Sequence, residues 1–159
     1  RTLLAAIREI AAIAEAAGLV PAVHPHAGTY VEFADEIEAV ADAAPLCLDT
    51  GHLAFAGLAA DEVYARFAER VVLLHLKDVD PAVRARAVAG GLGYWEAVAA
   101  GIFCPVGRGC VAFAALAARL REAAFAGWGT VEQDRVPGGD PVADLVASRE
   151  ALEALGMVA

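Results

Sequence analysis

The sequence predicts an α/β fold whose strands form a parallel sheet. Four short apolar runs alternate along the chain with segments of helical periodicity, which is the pattern of successive strand–helix units. Each run is apolar throughout, as expected of a parallel strand buried on both faces. Each run also ends in ionisable residues, and the carboxyl ends of parallel strands carry the active sites of barrels and doubly wound sheets. The four runs are residues 19–23, 46–48, 71–74 and 128–131.

The number of units predicts about half of an eight-stranded (β/α) barrel. A complete barrel needs about 250 residues, whereas this chain has 159, which is enough for one domain with a core of its own. We therefore expect residues 1–159 to form a single domain with four strand–helix units. Because the chain opens at Arg1 directly in a helical pattern, we expect it to be the C-terminal part of a longer barrel.

Composition and charge narrow the classes of function. The chain is 59% hydrophobic with a mean hydropathy of +0.55, largely because of Ala. A membrane-spanning helix needs about 20 consecutive apolar residues. Each apolar stretch of this chain is shorter, because charged residues, His, Pro or Gly interrupt it. The net charge of −9, without clustered Lys and Arg, argues against a nucleic-acid partner. The sequence shows no signal-peptide pattern, and its three cysteines lack zinc-type pairing, so we expect reduced thiols in a cytoplasmic protein.

The first two helices have recognisable ends. A helix over residues 2–17 should end before Gly18, which suits the left-handed position after a last turn. Thr29 and Glu32 match a capping box, which predicts a second helix to about residue 43. The apolar residues expected to face the core are Leu3, Leu4, Ile7, Ile10 and Ala14 in the first helix, and Ile37 and Val40 in the second.

The later helices begin and end at comparable positions. Asp61 is placed to cap a short helix before the third strand. Residues 111–126 form another helix, which Gly127 should end. Asp140 followed by Pro141 is a cap with proline at the first helical position, and it predicts the final helix.

Between the third strand and the 111–126 helix lies a long excursion, residues 80–109. It contains two short helical patches and the glycine-rich turn of residues 104–109. Connections of this length within a compact domain are usually functional. We therefore predict that residues 80–109 form a lid-like segment over a site.

The residues at the strand ends form a set of potential metal ligands. Asp49, His75 and Glu132 each follow or end a different predicted strand, and the first strand runs into His24 and His26. Because these ends meet at one edge of a parallel sheet, their carboxylates and imidazoles should lie together. Nitrogen and oxygen ligands of this kind suit Mn, Co, Fe or Mg better than structural zinc. We predict a divalent-metal site of Asp49, His75, Glu132 and one of the two histidines.

Neighbouring residues on the same strands extend the set. Side chains two residues apart on a strand share a face. Lys77 should therefore accompany His75, and Asp134 should accompany Glu132. Lys77 or His52 is then placed to orient a substrate oxygen or to transfer a proton.

Structural roles stay open for several of these residues. The turn after Asp49 also suits a simple bend, and His24 or His26 alone also suits a hydrogen-bonded loop. Glu32 fits a capping box better than a ligand. Asp78 and Asp134 can cap a helix or pair with backbone groups. Arg108 can be a solvated loop cation, although its glycine neighbours would let the backbone approach a ligand. Cys47 fits a small core residue. The metal hypothesis therefore depends on four coincident strand ends.

The motifs at these strand ends are residues 24–29 (His-Pro-His-Ala-Gly-Thr), 48–57 (Leu-Asp-Thr-Gly-His and following), 75–78 (His-Leu-Lys-Asp), 105–109 (Pro-Val-Gly-Arg-Gly) and 132–134 (Glu-Gln-Asp, a few residues after Gly127-Trp128). Together they resemble the inosose dehydratases, members of the xylose-isomerase-like TIM-barrel superfamily of sugar isomerases and epimerases. The resemblance covers nearly the whole chain but only the C-terminal half of the family's barrel.

The resemblance implies a metal-dependent lyase that removes water from 2-keto-myo-inositol in inositol catabolism. It implies a divalent metal, Mn or Co by preference and Mg or Fe as alternatives, held by Asp49, His75 and Glu132. Many relatives place a Glu at the first strand end, and we assign His26 as the fourth ligand there. We assign His24, His52 and Lys77 as catalytic residues, and Asp134 and Arg108 as substrate contacts.

Other functions remain open. A sugar isomerase or epimerase of the same superfamily would use the same metal and return a proton to carbon. The acidic charge disfavours a DNA-repair endonuclease. A non-catalytic remnant or inactive fragment is the alternative outside enzymes, because half a barrel leaves unpaired sheet edges that also favour a homo-oligomer. The expected partner is a small keto-polyol, with neither nucleic acid nor membrane.

Overall fold

The computed structural model describes residues 2–134 and 138–158 and shows an α/β fold built on parallel strands. Five strands are present in these residues: β1 (Leu46–Asp49), β2 (Val71–Leu76), β3 (Asp78–Val79), β4 (Phe103–Cys104) and β5 (Trp128–Val131). The helices are α1 (Thr2–Ala16), α2 (Ala34–Ala41), α3 (Thr50–Ala56), α4 (Ala60–Phe67), α5 (Pro81–Gly90), α6 (Tyr94–Ala99), α7 (Phe113–Glu122) and α8 (Pro141–Ala154), with a 3₁₀ turn at Ala68–Arg70.

The main sheet has the order β1-β2-β5 with every pair parallel. A fourth chain segment extends it at Val23, whose backbone bridges to Leu46 in the parallel sense. The four segments follow one another in chain order across the sheet, as in consecutive strands of a (β/α) barrel. The predicted fold class is thereby confirmed.

The first predicted strand is reduced to this single bridge. Val23 donates to the carbonyl of Pro45, and Cys47 donates to the carbonyl of Val23. Pro21 has no backbone N–H with which to continue the pairing. The prediction of a strand over residues 19–23 was therefore wrong in extent, although the segment lies where that strand was expected.

The second helix begins later than predicted. The carboxylate of Glu36 accepts from the backbone N–H groups of Glu32 and Phe33, so the capping interaction is made by Glu36. Thr29 instead donates to the carbonyl of His26 in the preceding loop. The capping box of Thr29 and Glu32 was wrong by about one helical turn.

Other helix ends match the sequence unevenly. Asp140 caps α8 through Val142 and Ala143, as predicted. Asp61 lies inside the first turn of α4 and does not cap it, because Ala59 holds the capping position. The helix predicted over residues 111–126 ends earlier, at Glu122.

Apolar residues from the sheet and the helices form the main core. The predicted inward residues Ile37 and Val40 are buried there. In α1, Leu4 and Ile7 pack against this core, but Leu3 and Ile10 are exposed, so its predicted apolar face is only partly used. The central buried side chains include Leu46, Leu48, Leu74, Leu76, Tyr64, Leu116 and Leu152.

The excursion after β2 folds on a second, smaller core. β3 and β4 pair antiparallel, and they bring both ends of the excursion together. The smaller core consists of Val79, Val83, Ala87, Ala97, Ile102 and Phe103. Gly91, in the left-handed region at φ +61°, ends α5 before the chain turns into α6. No helix within the described residues is both long enough and apolar enough to cross a bilayer.

Candidate metal and substrate site

The strand register brings the predicted ligands to one edge of the sheet. Asp49, the last residue of β1, lies opposite His75 of β2. Glu132 follows β5 directly, and its backbone N–H donates to the carbonyl of Leu76 at 3.1 Å. Parallel pairing therefore places the imidazole of His75 between the carboxylates of Asp49 and Glu132 along the sheet edge.

The two oxygens of the Asp49 carboxylate have different surroundings. Oδ1 accepts from the backbone N–H groups of Gly51 and His52 at 2.8 and 2.9 Å, so Asp49 caps α3. The side chain is fully buried. Capping therefore fixes the carboxylate and leaves Oδ2 directed away from the helix.

Oδ2 of Asp49 faces four nitrogen atoms. The distances are 3.6 Å to Nζ of Lys77, 3.7 Å to Nδ1 of His75, and 3.8 Å to Nε2 of both His24 and His52. Each distance exceeds that of a hydrogen bond. The oxygen is buried and has no hydrogen-bond partner among the described residues.

Further buried atoms around Asp49 share this property. Nε2 of His24, Nδ1 of His75 and Oε2 of Glu132 are all buried without a hydrogen bond to the described residues. Nδ1 of His75 and Oε2 of Glu132 lie 2.9 Å apart, in a geometry that is not a hydrogen bond. Buried polar atoms are normally paired, so lone pairs converging in this way suit a cation. Nitrogen and carboxylate oxygen are suitable donors for a divalent transition metal.

Among the described residues there are three groups of potential metal ligands, and within each group the ligand atoms lie within 4.8 Å of one another. One is the set Asp49, His75 and Glu132 that the sequence predicts. The other groups are His24 with Asp49 and His52, and His24 with Cys47 and His75. Cys47 is buried, as expected of a core residue, but its sulfur faces this site; burial raises the pKa of the thiol to about 12.

Of the two histidines at the first strand end, the fold brings His24, and not His26, next to Asp49 and the other potential ligands. Nδ1 of His26 donates to the carbonyl of Ala27 at 2.8 Å. The His26 ring stacks on that of His52, with centroids 3.6 Å apart. Among the described residues, His26 belongs to none of the potential ligand groups. The spacing His24-Pro25-His26 could not decide between the two, because the chain is not in a regular strand there.

Lys77 lies next to the carboxylates of Asp49, Glu132 and Asp134. It is almost fully buried, with 1% of its surface exposed. Its Nζ donates to Oδ2 of Asp134 at 2.9 Å and lies 3.3 Å from Oε1 of Glu132 and 3.5 Å from Nε2 of His52. Burial lowers the pKa of Lys77. The charge of Asp49 and the hydrogen bond to Asp134 raise it by more than burial lowers it, so the net shift of the pKa is upward.

The pKa values of Asp49, His75 and His52 are shifted in different directions. Burial raises the pKa of Asp49, but its contacts with His24 and His75 outweigh this, and the pKa falls well below its usual value. Contact with Asp49 raises the pKa of His75. Burial lowers the pKa of His52 to about 3, despite the opposing charge of Asp49.

Local backbone packing explains the glycine in the Asp-Thr-Gly-His motif. A side-chain carbon at Gly51 would lie 2.7 Å from the Lys77 side chain, so only glycine allows Lys77 to pass. Thr50 completes the contact, since its hydroxyl donates to the Lys77 carbonyl at 2.6 Å and accepts from the Lys77 N–H at 2.9 Å. The motif therefore positions Lys77 as well as Asp49.

The glycine-rich turn is organised by Asp78. Both of its oxygens are used: Oδ2 accepts from the N–H groups of Gly107 and Gly109, and Oδ1 accepts from Val79 and Val111. Arg108 is exposed and makes none of the ion pairs found in residues 2–134 and 138–158. Asp134 thus lies at the site through Lys77, whereas Arg108 is not brought to it.

One residue that the sequence analysis did not select also lies at this site. Tyr94, at the start of α6, packs against the rings of His26 and His52, with centroid distances of 5.0 and 5.8 Å. Its position after Gly93 in the predicted excursion was the only indication in the sequence. A contact between segments about 70 residues apart cannot be inferred from periodicity.

Comparisons with known proteins identify the family and the fold of this chain. Residues 1–155 match the family model described as xylose isomerase-like TIM barrel. An inosose dehydratase of Geobacillus kaustophilus is 33% identical over 141 residues, which is 86% of this chain and 46% of that protein. This chain therefore spans about half the length of the curated relatives that it matches.

Two solved structures share the fold at low sequence identity. One is the probable 3-DHS dehydratase of Bacillus anthracis, with a TM-score of 0.70, 12% identity, and coverage of 96% of this chain and 55% of that chain. The other is a 3-keto-D-glucoside 4-epimerase of E. coli, with a TM-score of 0.66, 16% identity, and coverage of 98% and 52%. The resemblance predicted from the strand-end motifs is confirmed, and the chain belongs to the xylose isomerase-like TIM-barrel family.

Proposed function

We propose that this chain supplies the metal-binding part of a dehydratase that acts on a keto-polyol, with 2-keto-myo-inositol as the substrate. The observation that carries the proposal is the convergence of unpartnered buried atoms from His24, Asp49, His75 and Glu132. The similarity to an inosose dehydratase supports the choice of reaction.

The proposed metal ligands are Asp49, His75, Glu132 and His24. His24 replaces His26 because its Nε2 faces Asp49, whereas His26 is held by Ala27 and stacked on His52. Mn or Co is the preferred ion and Mg or Fe the alternative, given two carboxylates and two imidazoles. A bound divalent ion would supply Lewis-acid polarisation of a substrate carbonyl.

The chain's own residues would handle orientation and protons. Lys77 is held by Asp134 and lies 3.5 Å from Nε2 of His52, so its ammonium is placed to donate to a substrate oxygen. The His52 ring also packs against the His26 ring, with centroids 3.6 Å apart. We propose that Lys77, oriented by Asp134, donates to the hydroxyl that leaves as water, and that His52, which is neutral because burial lowers its pKa, orients a substrate oxygen.

A second candidate function is isomerisation or epimerisation of a ketose. The similarity of fold to a 3-keto-D-glucoside 4-epimerase favours it. Both reactions begin by removing a proton next to a carbonyl, so the same ligand set serves both. They differ in whether a hydroxyl then leaves or a proton returns to carbon.

The product mass distinguishes the two reactions. The protein that carries this chain, in full length and loaded with Mn or Co, would be incubated with 2-keto-myo-inositol and the product followed by mass spectrometry. Loss of one water supports the dehydratase. A product of unchanged mass, from this substrate or another ketose, favours the epimerase. The Glu32→Gln variant is a suitable control, because among the described residues the Glu32 side chain accepts a hydrogen bond only from the loop N–H of Gly28.

A further inference from the structure

Tyr94 reaches the site from the excursion formed by residues 80–109. It is the first residue of α6, and its ring meets that of His26 at 61° with centroids 5.0 Å apart. The ring also lies 5.8 Å from those of His52 and Phe55. The excursion thus contributes an aromatic side chain directly beside the histidine pair.

Two features hold Tyr94 in this position. Gly28 has φ +74°, and a side-chain carbon there would lie 2.8 Å from Cβ of Tyr94, so the 27–29 backbone packs directly on the tyrosine. On the other side, Tyr94 packs against the small core that contains Val79, Ile102 and Phe103. The ring is therefore fixed between the first strand end and the excursion.

The Tyr94 hydroxyl is available to a ligand. No hydrogen bond within residues 2–134 and 138–158 uses it, and the side chain is half-buried. Burial raises the pKa of Tyr94 to about 12, and the nearby charge of Asp134 acts in the same direction. The phenol therefore stays neutral at ordinary pH and can donate one hydrogen bond.

We propose that Tyr94 is a specificity-determining residue of this site. Its ring forms an apolar wall for the carbon skeleton of a keto-polyol, and its hydroxyl donates to one substrate oxygen. Ligand sites commonly combine an aromatic wall with a few placed polar groups. The inference rests on the proposed function, since it takes a keto-polyol as the ligand.

The test compares Tyr94→Phe with the parent protein in full length and metal-loaded. The variant keeps the ring and removes only the hydroxyl. We expect kcat/KM for the keto-polyol to fall about fivefold to tenfold, mainly through KM. Metal content and the melting temperature should not change. Tyr30→Phe is the matched control, because Tyr30 is 87% exposed, and it should behave as the parent.

The substrate side provides an independent readout. Across a series of monodeoxy analogues, the penalty of Tyr94→Phe should disappear for the one analogue that lacks the contacted hydroxyl. A uniform penalty across the series, or a kcat/KM within twofold of the parent, would overturn the proposal. If the parent converts a different ketose, the proposed reaction is wrong. The Tyr94 proposal is then tested by the same comparison of Tyr94→Phe with the parent on that ketose. If it neither binds nor converts any ketose, both proposals fall.

Discussion

The ammonium group of Lys77 donates a hydrogen bond to the carboxylate of Asp134 at 2.9 Å, and it is almost completely removed from solvent. The same ammonium lies 3.6 Å from Asp49 and 3.3 Å from Glu132. One buried cation therefore balances three carboxylates at the sheet edge. Breaking a buried ion pair on one side is costly, because the remaining charge is left uncompensated.

Replacing Lys77 should destabilise the metal-free protein. We expect Lys77→Met to lower the free energy of unfolding by about 3 kcal/mol at neutral pH. The pKa of Lys77 is raised above 10.5, so its contribution is fully present below that value and is lost as pH rises through the folded pKa. Urea unfolding at several pH values measures this. Arg149→Met is the control, since its pair with Glu153 is exposed and should change stability by at most about 0.5 kcal/mol. An equal effect of the two variants would contradict the role given to Lys77.

Metal binding should separate His24 from His26. We expect His24→Ala and His75→Ala each to weaken binding of Co²⁺ or Mn²⁺ strongly, by about 100-fold, whereas His26→Ala should change it little. Asp49→Asn and Glu132→Gln should behave like His75→Ala. The measurement is metal titration by calorimetry, with elemental analysis of the purified proteins. Strong loss in His26→Ala together with an unchanged His24→Ala would restore the original assignment of His26.

In the metal-free protein, His75 should titrate above its usual pKa of 6.5. Contact with Asp49 raises the pKa, burial lowers it, and the charge of Glu132 raises it again. The stabilisation from this contact is present below pH 6.5 and is lost as pH rises through the folded pKa. NMR titration of the imidazole measures the value, and Asp49→Asn should bring it down. A pKa at or below 6.5 in the parent is the contrary result.

Asp78 should matter for stability more than its neighbour Asp80. Four backbone N–H groups donate to the buried Asp78 carboxylate, and an amide in its place would direct N–H against N–H. We expect Asp78→Asn to cost about 2–3 kcal/mol. Asp80→Asn keeps the capping bonds of α5 and should cost at most about 0.5 kcal/mol. Chemical denaturation compares the pair, and similar midpoints for the two variants would refute this account.

The isolated chain should self-associate. Within the described residues, β5 pairs with β2 on one side only, and Trp128 on this strand is 82% exposed. A free strand edge beside an exposed aromatic ring favours pairing between chains. Light scattering after gel filtration should show oligomers or a loosely packed, dye-binding state, and Trp128→Lys should reduce association. A monodisperse monomer with a sharp cooperative melt would contradict the half-barrel description.

The sequence by itself determined the order of strands and helices and the set of residues at the strand ends. Apolar runs fixed β1, β2 and β5, because buried parallel strands require them. Parallel register then made Asp49, His75 and Glu132 neighbours, since the ends of such strands meet at one edge. These features depend on local pattern and on a general rule of sheet geometry.

Only the tertiary structure brought His24, rather than His26, next to Asp49. It also packed the buried Lys77 against three carboxylates and placed Tyr94 at the site. The physical reason is that each of these depends on packing between segments distant in the chain. Pro21 limits the first strand to one bridge, so alternation no longer indicates which histidine faces inward. Tyr94 reaches the site because β3 and β4 close the excursion and Gly28 leaves room for it.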